Sequence, residues 1–164
     1  MQWAPMTPAE RIVRRGIDEP ALMALAATLA ARVRRGGVIL LQGELGAGKT
    51  TFARALLGAL GVRQRVKSPT YSLIESYNVG DLAIHHLDLY RIADAGELEW
   101  LGLADLVAQP HLMLVEWPER AAGALPHADL VISLAHAGAV RDIELRAASP
   151  AGQRWLNELA SVRA

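Results

Sequence analysis

Gly43, Gly48, Lys49 and Thr50 occupy the four fixed positions of the spacing G-x-x-x-x-G-K-[ST] within the run Gly43-Glu44-Leu45-Gly46-Ala47-Gly48-Lys49-Thr50. Those residue types have a common chemistry. Glycines let the backbone curl until several N–H groups converge on one cavity. A helix starting at the loop adds a dipole that favours an anion. A lysine placed there reaches the β- and γ-phosphates of a nucleoside triphosphate. A threonine hydroxyl is a ligand for Mg2+, a cation that keeps most of its shell as water and phosphate oxygen. The candidate nucleotide cradle is therefore Glu44, Leu45, Gly46, Ala47, Gly48, Lys49, Thr50 and Thr51.

Such a cradle needs a carboxylate for the metal, supplied from the end of another apolar strand. Glu116, which follows Leu112-Met113-Leu114-Val115, is the candidate, although an aspartate is more usual there. Asp88 is the second carboxylate. It stands between Leu87 and Leu89 in an extended run, where a charge needs a reason. Two readings stay open for it: solvent exposure on an edge strand, or a position aimed at magnesium or at an attacking water. Thr70 follows Pro69 after the first loop helix. A hydroxyl there is placed either to form a turn or to sense a γ-phosphate.

The elements that must position these groups are visible as patterns. Val38-Ile39-Leu40-Leu41 reads as a strand buried on both faces, as in a parallel sheet. A helix from about Lys49 to Leu60 follows, with Phe52, Ala55, Leu56, Ala59 and Leu60 at helical spacing and Gly61 closing it. Upstream, Leu22, Leu25, Ala26, Leu29, Ala30 and Val33 share one helical face, with Asp18 as N-cap, Pro20 in the first turn and Gly36-Gly37 as the stop. The paired arginines before that run superficially resemble an export signal, but Asp18, Glu19 and Pro20 interrupt the approach, which favours a packed helix. "LIESYNV" and "LAIHHLDLY" flank Gly80-Asp81 as a hairpin, with Ile84, His86, Asp88 and Tyr90 on one face. One short helix is expected across "AGELEWLGLADLV", a strand at "HLMLVEW", a second hairpin from "ADLVISLAH" and "RDIELRA", and a closing helix at "PAGQRWLNELASVRA". Trp100 and Trp155 are expected in the core. The fold class that follows is α/β, phosphate-loop NTPase-like: a mostly parallel sheet with antiparallel edge hairpins, flanked by helices, in a single domain over 1–164.

Composition narrows the function. Lys+Arg and Asp+Glu are 17 each, so no basic surplus carries an RNA footprint unaided. The clusters Arg63, Arg65, Lys67 and Arg32, Arg34, Arg35 read as solvated charge. With no cysteine, disulfides, thiolate metal sites and cysteine nucleophiles are excluded, which fits a cytoplasmic protein. No run approaches membrane-spanning length. Asn78 and Asn157 are the two asparagines, and neither begins the Asn-Lys-x-Asp loop that reads guanine, so ATP is the expected nucleotide.

Four motifs in order, "GELGAGKTT", "KSPTYSL", "HLDLYR" and "VEWPER", make the chain resemble the TsaE (YjeE) family of bacterial ATPases. The first motif is widely shared; the other three, at these spacings, are specific. The resemblance runs from the first helix to about Pro126 and more loosely to the C-terminus. It implies a small α/β phosphate-loop fold that binds ATP or ADP with Mg2+ and is weakly active alone. It also implies association with TsaB and TsaD proteins, which transfer a threonylcarbamoyl group to the tRNA adenosine beside the anticodon, and hydrolysis that resets this complex. On the matching positions it makes Thr50 and Glu116 the magnesium residues, ties Asp88 to hydrolysis, puts Thr70 in a switch-like segment and sets Trp117 beside the nucleotide. One departure is Leu106 after Asp105, where the family often carries an aromatic residue, which touches partner contacts and not the loop chemistry. The charge balance agrees with tRNA being reached indirectly, through partners.

Two other functions fit parts of the pattern. In a small-molecule kinase, Asp88 would act as base for a substrate hydroxyl, but the arginine-rich lid usual in such kinases is not evident, with Arg91 and Arg120 as the available residues. A nucleotide-gated binding module would hold the same loop without meaningful turnover.

Overall fold

A computed structural model describes residues 10–66 and 73–161. Its elements, in chain order, are β1 (Arg11–Ile17), α1 (Glu19–Ala30), β2 (Gly37–Gly43), α2 (Lys49–Leu60), β3 (Ile74–Val79), β4 (Leu82–Asp88), α3 (Glu97–Trp100), α4 (Leu103–Val107), β5 (His111–Glu116), a 3-10 turn (Pro118–Ala121), β6 (Leu130–Ala137), β7 (Val140–Ala147) and α5 (Pro150–Ser161). The strands form one sheet in the order β1-β7-β6-β2-β5-β4-β3. The central strands β6, β2, β5 and β4 run parallel. The hairpins β3–β4 and β6–β7, and the outer pair β1–β7, are antiparallel. The α/β class and its edge hairpins are as the periodicities predict.

Each face of the sheet buries its own cluster. On one side Ile39, Leu41, Ile84, Leu112 and Leu114 pack under α1, α2 and α5. On the other, Val38, Leu87, Met113 and Val115 meet Leu98 and Leu103 of the short helices and Ala121 of the 3-10 turn. The run Val38–Leu41 is apolar throughout because β2 is covered on both faces. Asp18 caps α1, its Oδ1 accepting from the Ala21 N–H at 2.9 Å.

Several details differ from expectation. The helix α1 ends at Ala30, not at Gly36-Gly37; the amides of Arg32 and Val33 bond back to Leu29 and Ala30 in a tightened turn that still buries Val33. The buried stripe of α2 includes Ala53 and Leu57 beside Phe52, Leu56 and Leu60, with Ala55 and Ala59 only partly buried. β1 is a strand that no pattern announces: of its residues only Ile12 is fully buried, and its register slips between Arg14 and Ile17. The expected single helix after Arg91 is two, separated at Gly102, whose φ of 76° stops the first. Trp155 is in the core, but Trp100 is 92% exposed, because the four-residue α3 buries Leu98 alone.

Candidate functional site

The sheet register assembles the site. β4 pairs with β5 so that Asp88 lies opposite Glu116, and β5 pairs with β2 so that Glu116 lies opposite Leu41. Opposed residues in a parallel pair point to one face, here the face covered by α2. β4 is an interior strand, with β3 outside it, and Asp88 is buried. The solvent-facing reading of Asp88 therefore fails. Its Oδ1 accepts from the Tyr90 N–H at 3.0 Å, and the Leu89 N–H donates to the Glu116 carbonyl at 3.0 Å, which ties the ends of β4 and β5 together.

Beyond β2 the chain enters the glycine-rich loop. Gly43 has φ 148°, and a Cβ on it would lie 2.4 Å from the Leu134 carbonyl oxygen. Gly48, with φ 107°, is the N-cap of α2 and offers no side-chain cap. The first helical bond runs from the Phe52 N–H to the Gly48 carbonyl, so the amides of Lys49, Thr50 and Thr51 have no partner within the helix. Unsatisfied amides at a helix start suit an anion. The Ala47 N–H, by contrast, is engaged by the Glu44 carbonyl at 3.0 Å.

Lys49 is buried, and its Nζ donates to the carbonyl oxygens of Gly43 and, at 3.0 Å, Glu44. Its ammonium also lies 4.2 Å from the centre of a Trp117 ring. Burial lowers its pKa from the ordinary lysine value, against the opposing pull of Glu116, Glu119 and Asp88. Trp117 reaches this place because its backbone is left-handed, with φ 57°, before Pro118 starts the 3-10 turn. Its ring is 4.8 Å from that of Tyr90, and the Arg120 guanidinium lies 5.5 Å from Tyr90 and 5.8 Å from Trp117.

Glu116 is 2% exposed and both its oxygens are engaged. Thr50 Oγ1 donates to Oε1 at 2.9 Å, and His86 Nε2 lies 2.6 Å from Oε2. A hydroxyl and a carboxylate oxygen side by side are hard donors suited to Mg2+. Among the described residues no group of three or more His, Cys, Asp or Glu could hold a metal unaided.

One cavity of about 340 Å³ unites Leu45, Gly46, Gly48, Lys49, Thr50, Thr51, Asp88, Glu116 and Trp117 with Tyr90, Arg91 and Arg141. Glu44 and Ala47 shape the loop without lining this cavity. Thr70 lies outside the described residues. Arg91, considered above only as a kinase lid, is part of the wall. Two residues were not anticipated. The alternation along β4 puts His86 on the same face as Asp88 but assigns it no role. Arg141, at the start of β7, brings a guanidinium so close to the loop that a Cβ on Gly48 would lie 2.2 Å from it. The HLDLYR motif contained the signal for His86; nothing around Arg141 distinguishes it from neighbouring surface charges.

A glycine-rich turn between a buried parallel strand and a helix, with two carboxylates on the next strands, defines an α/β protein of the phosphate-loop NTPase fold. Residues 17–143 match the family model described as "Threonylcarbamoyl adenosine biosynthesis protein TsaE". The tRNA threonylcarbamoyladenosine biosynthesis protein TsaE of Haemophilus influenzae is 40% identical over 124 residues, 76% of this chain and 78% of that protein. Its counterpart in Bacillus subtilis is 39% identical over 124 residues, 76% of this chain and 77% of that protein. The crystal structure of Bacillus subtilis YdiB superposes with a TM-score of 0.76 at 31% identity, covering 92% of this chain and 94% of that one. The chain belongs to the TsaE family. No helix among the described residues is long and apolar enough to cross a membrane.

Proposed function

We propose that this cavity binds ATP with Mg2+ and hydrolyses it, in the service of tRNA threonylcarbamoyladenosine biosynthesis in the cytoplasm. The observation that carries the reading is the Thr50–Glu116 pair at 2.9 Å, at the start of a helix with free amides and beside buried Lys49 and Asp88. The amides of Lys49, Thr50 and Thr51 receive phosphate oxygens. The Lys49 ammonium exchanges its contacts with the Gly43 and Glu44 carbonyls for the β- and γ-phosphates. Thr50 and Glu116 would hold Mg2+, which supplies charge stabilisation to the transferring phosphoryl group. Asp88, on the neighbouring strand, orients the attacking water and accepts its proton. The Arg141 guanidinium, close against Gly48, adds positive charge for the nucleotide at the loop.

The partners expected are TsaB- and TsaD-like proteins, with tRNA reached through them. The family name supports the pathway, and the balance of 17 basic and 17 acidic residues argues against tRNA being held by this chain alone. The test is a reconstituted tRNA modification assay with those proteins, ATP and a threonylcarbamoyl donor. Sustained modification is expected with the wild-type chain and loss of it with Lys49→Ala or Glu116→Ala. Full multiple-turnover modification without this chain overturns the role. ADP release that responds to a metabolite and never to the partner proteins makes the protein a small-molecule kinase instead. Hydrolysis no higher than that of Glu116→Ala in the assembled system leaves a nucleotide-gated module.

A further inference from the structure

His86 is 0% exposed and does not line the cavity, so its ring touches no bound nucleotide. It is nevertheless polar, on a strand face whose neighbours Ile84 and Leu114 are apolar core. Among the described residues its Nδ1 has no hydrogen-bond partner. The 2.6 Å bond from Nε2 to Glu116 Oε2 is thus the ring's one polar anchor among them. An imidazole buried in apolar surroundings is costly unless it serves something. What it serves is visible at the other end of the bond. Glu116 has one more rotatable bond than the aspartate more usual at such a strand end, so its carboxylate needs fixing. Nε2–H holds Oε2 from below, which turns Oε1 towards Thr50 and the cavity.

We propose that His86 is a positioning residue: it locks the Glu116 carboxylate so that a single oxygen, Oε1, is presented beside the Thr50 hydroxyl to the cation that accompanies the nucleotide. The proposal rests on the reading of Thr50 and Glu116 as the magnesium residues. Mg2+ demands near-ideal octahedral geometry, which a freely rotating carboxylate supplies poorly. Groups that hydrogen-bond a metal ligand from behind commonly change metal affinity by about 10–100-fold.

The experiment is equilibrium binding of ADP, without metal and across a Mg2+ titration, for wild type, Glu116→Gln, His86→Leu and His86→Gln. The expected result is metal-free ADP affinity unchanged within about threefold in the His86 variants. In His86→Leu, which fills the space without a donor, the Mg2+ midpoint rises about 10–100-fold. In His86→Gln, whose amide nitrogen can donate from near the Nε2 position, most of that shift is recovered. A wild-type Mg2+ midpoint in His86→Leu, with Glu116→Gln shifted, overturns the proposal and leaves the magnesium reading intact. No Mg2+ dependence in wild type, or none lost in Glu116→Gln, overturns the magnesium reading itself. If His86→Leu fails to fold, His86→Gln and His86→Asn decide. The asparagine is too short to reach Glu116, so equal midpoints in those two variants overturn the proposal.

Discussion

The two antiparallel hairpins flank the same parallel centre and reach the same cavity, but they contribute differently. The β3–β4 hairpin inserts its inner strand beside β5, so His86 and Asp88 are buried within the sheet and meet Glu116. The β6–β7 hairpin puts its second strand away from the centre, and it contributes only Arg141, from a strand of alternating charge. Asp88 and Arg141 thus line one cavity from strands separated by β5, β2 and β6. The buried carboxylates come from the parallel centre of the sheet, whereas Arg141 comes from an antiparallel strand beyond it. The contrast predicts that damage to the β4 side falls on turnover and damage to the β7 side on affinity.

The largest effects test the shared centre of that contrast. Lys49→Ala and Glu116→Ala are expected to lower ATP hydrolysis by about 100-fold or more, measured as phosphate release in the assembled system. Hydrolysis within threefold of wild type in either variant would remove the centre, and with it any division between the hairpins. Asp88→Asn comes next. It keeps the size of the side chain and removes the base, so kcat should fall about 100-fold while ADP affinity stays within a few-fold. Equal losses in both quantities would mean that Asp88 binds the nucleotide and does not act on the water.

Arg141→Ala is the converse. A charge-assisted hydrogen bond is worth about 1.5–3 kcal/mol, so affinities for ATP and ADP should fall together by about 10–100-fold, with kcat nearly unchanged. Arg141→Lys should recover part of the loss, since the charge remains and the planar fork does not. A fall in kcat with affinity intact would place Arg141 at the reacting end and break the comparison.

How far this arrangement was legible follows from the same difference. The loop at Gly43–Thr50 is read directly, because its fixed positions and its strand–loop–helix context coincide. Glu116 and Asp88 stand out because a charge in an apolar strand violates the pattern around it. Whether Asp88 faced water or metal was not decidable from alternation, since that depends on which strand lies outside β4, a long-range fact. His86 was hidden because its partner, Glu116, lies 30 residues away, and only the register brings them together. Arg141 was illegible for a different reason: among Arg141, Asp142, Glu144 and Arg146 one more arginine violates nothing. Trp100 misled in the opposite direction, since a tryptophan suggests a core and a four-residue helix has no room to give it one.

The smallest effect distinguishes the two neighbouring histidines of β4. His85 points away from His86: its Nδ1 is 2.8 Å from the Ser76 hydroxyl, and its ring is 6.1 Å from that of His111. Burial, and then repulsion from His111, lower its pKa below 6.5, with a hydrogen bond to the Leu106 backbone opposing them. The folded chain therefore releases this proton at a lower pH than the unfolded chain does. Between the lowered value and 6.5 the unfolded state binds more protons, so stability rises with pH across that window and is flat above it. One such group contributes a slope of at most about 1.4 kcal/mol per pH unit. Urea unfolding at a series of pH values should show that rise in wild type and a flatter profile in His85→Gln. Identical profiles in the two proteins would assign the pH dependence to other groups. His85 would then be no more than a buried partner for Ser76, and the polar work of β4 would be confined to the face that carries His86 and Asp88.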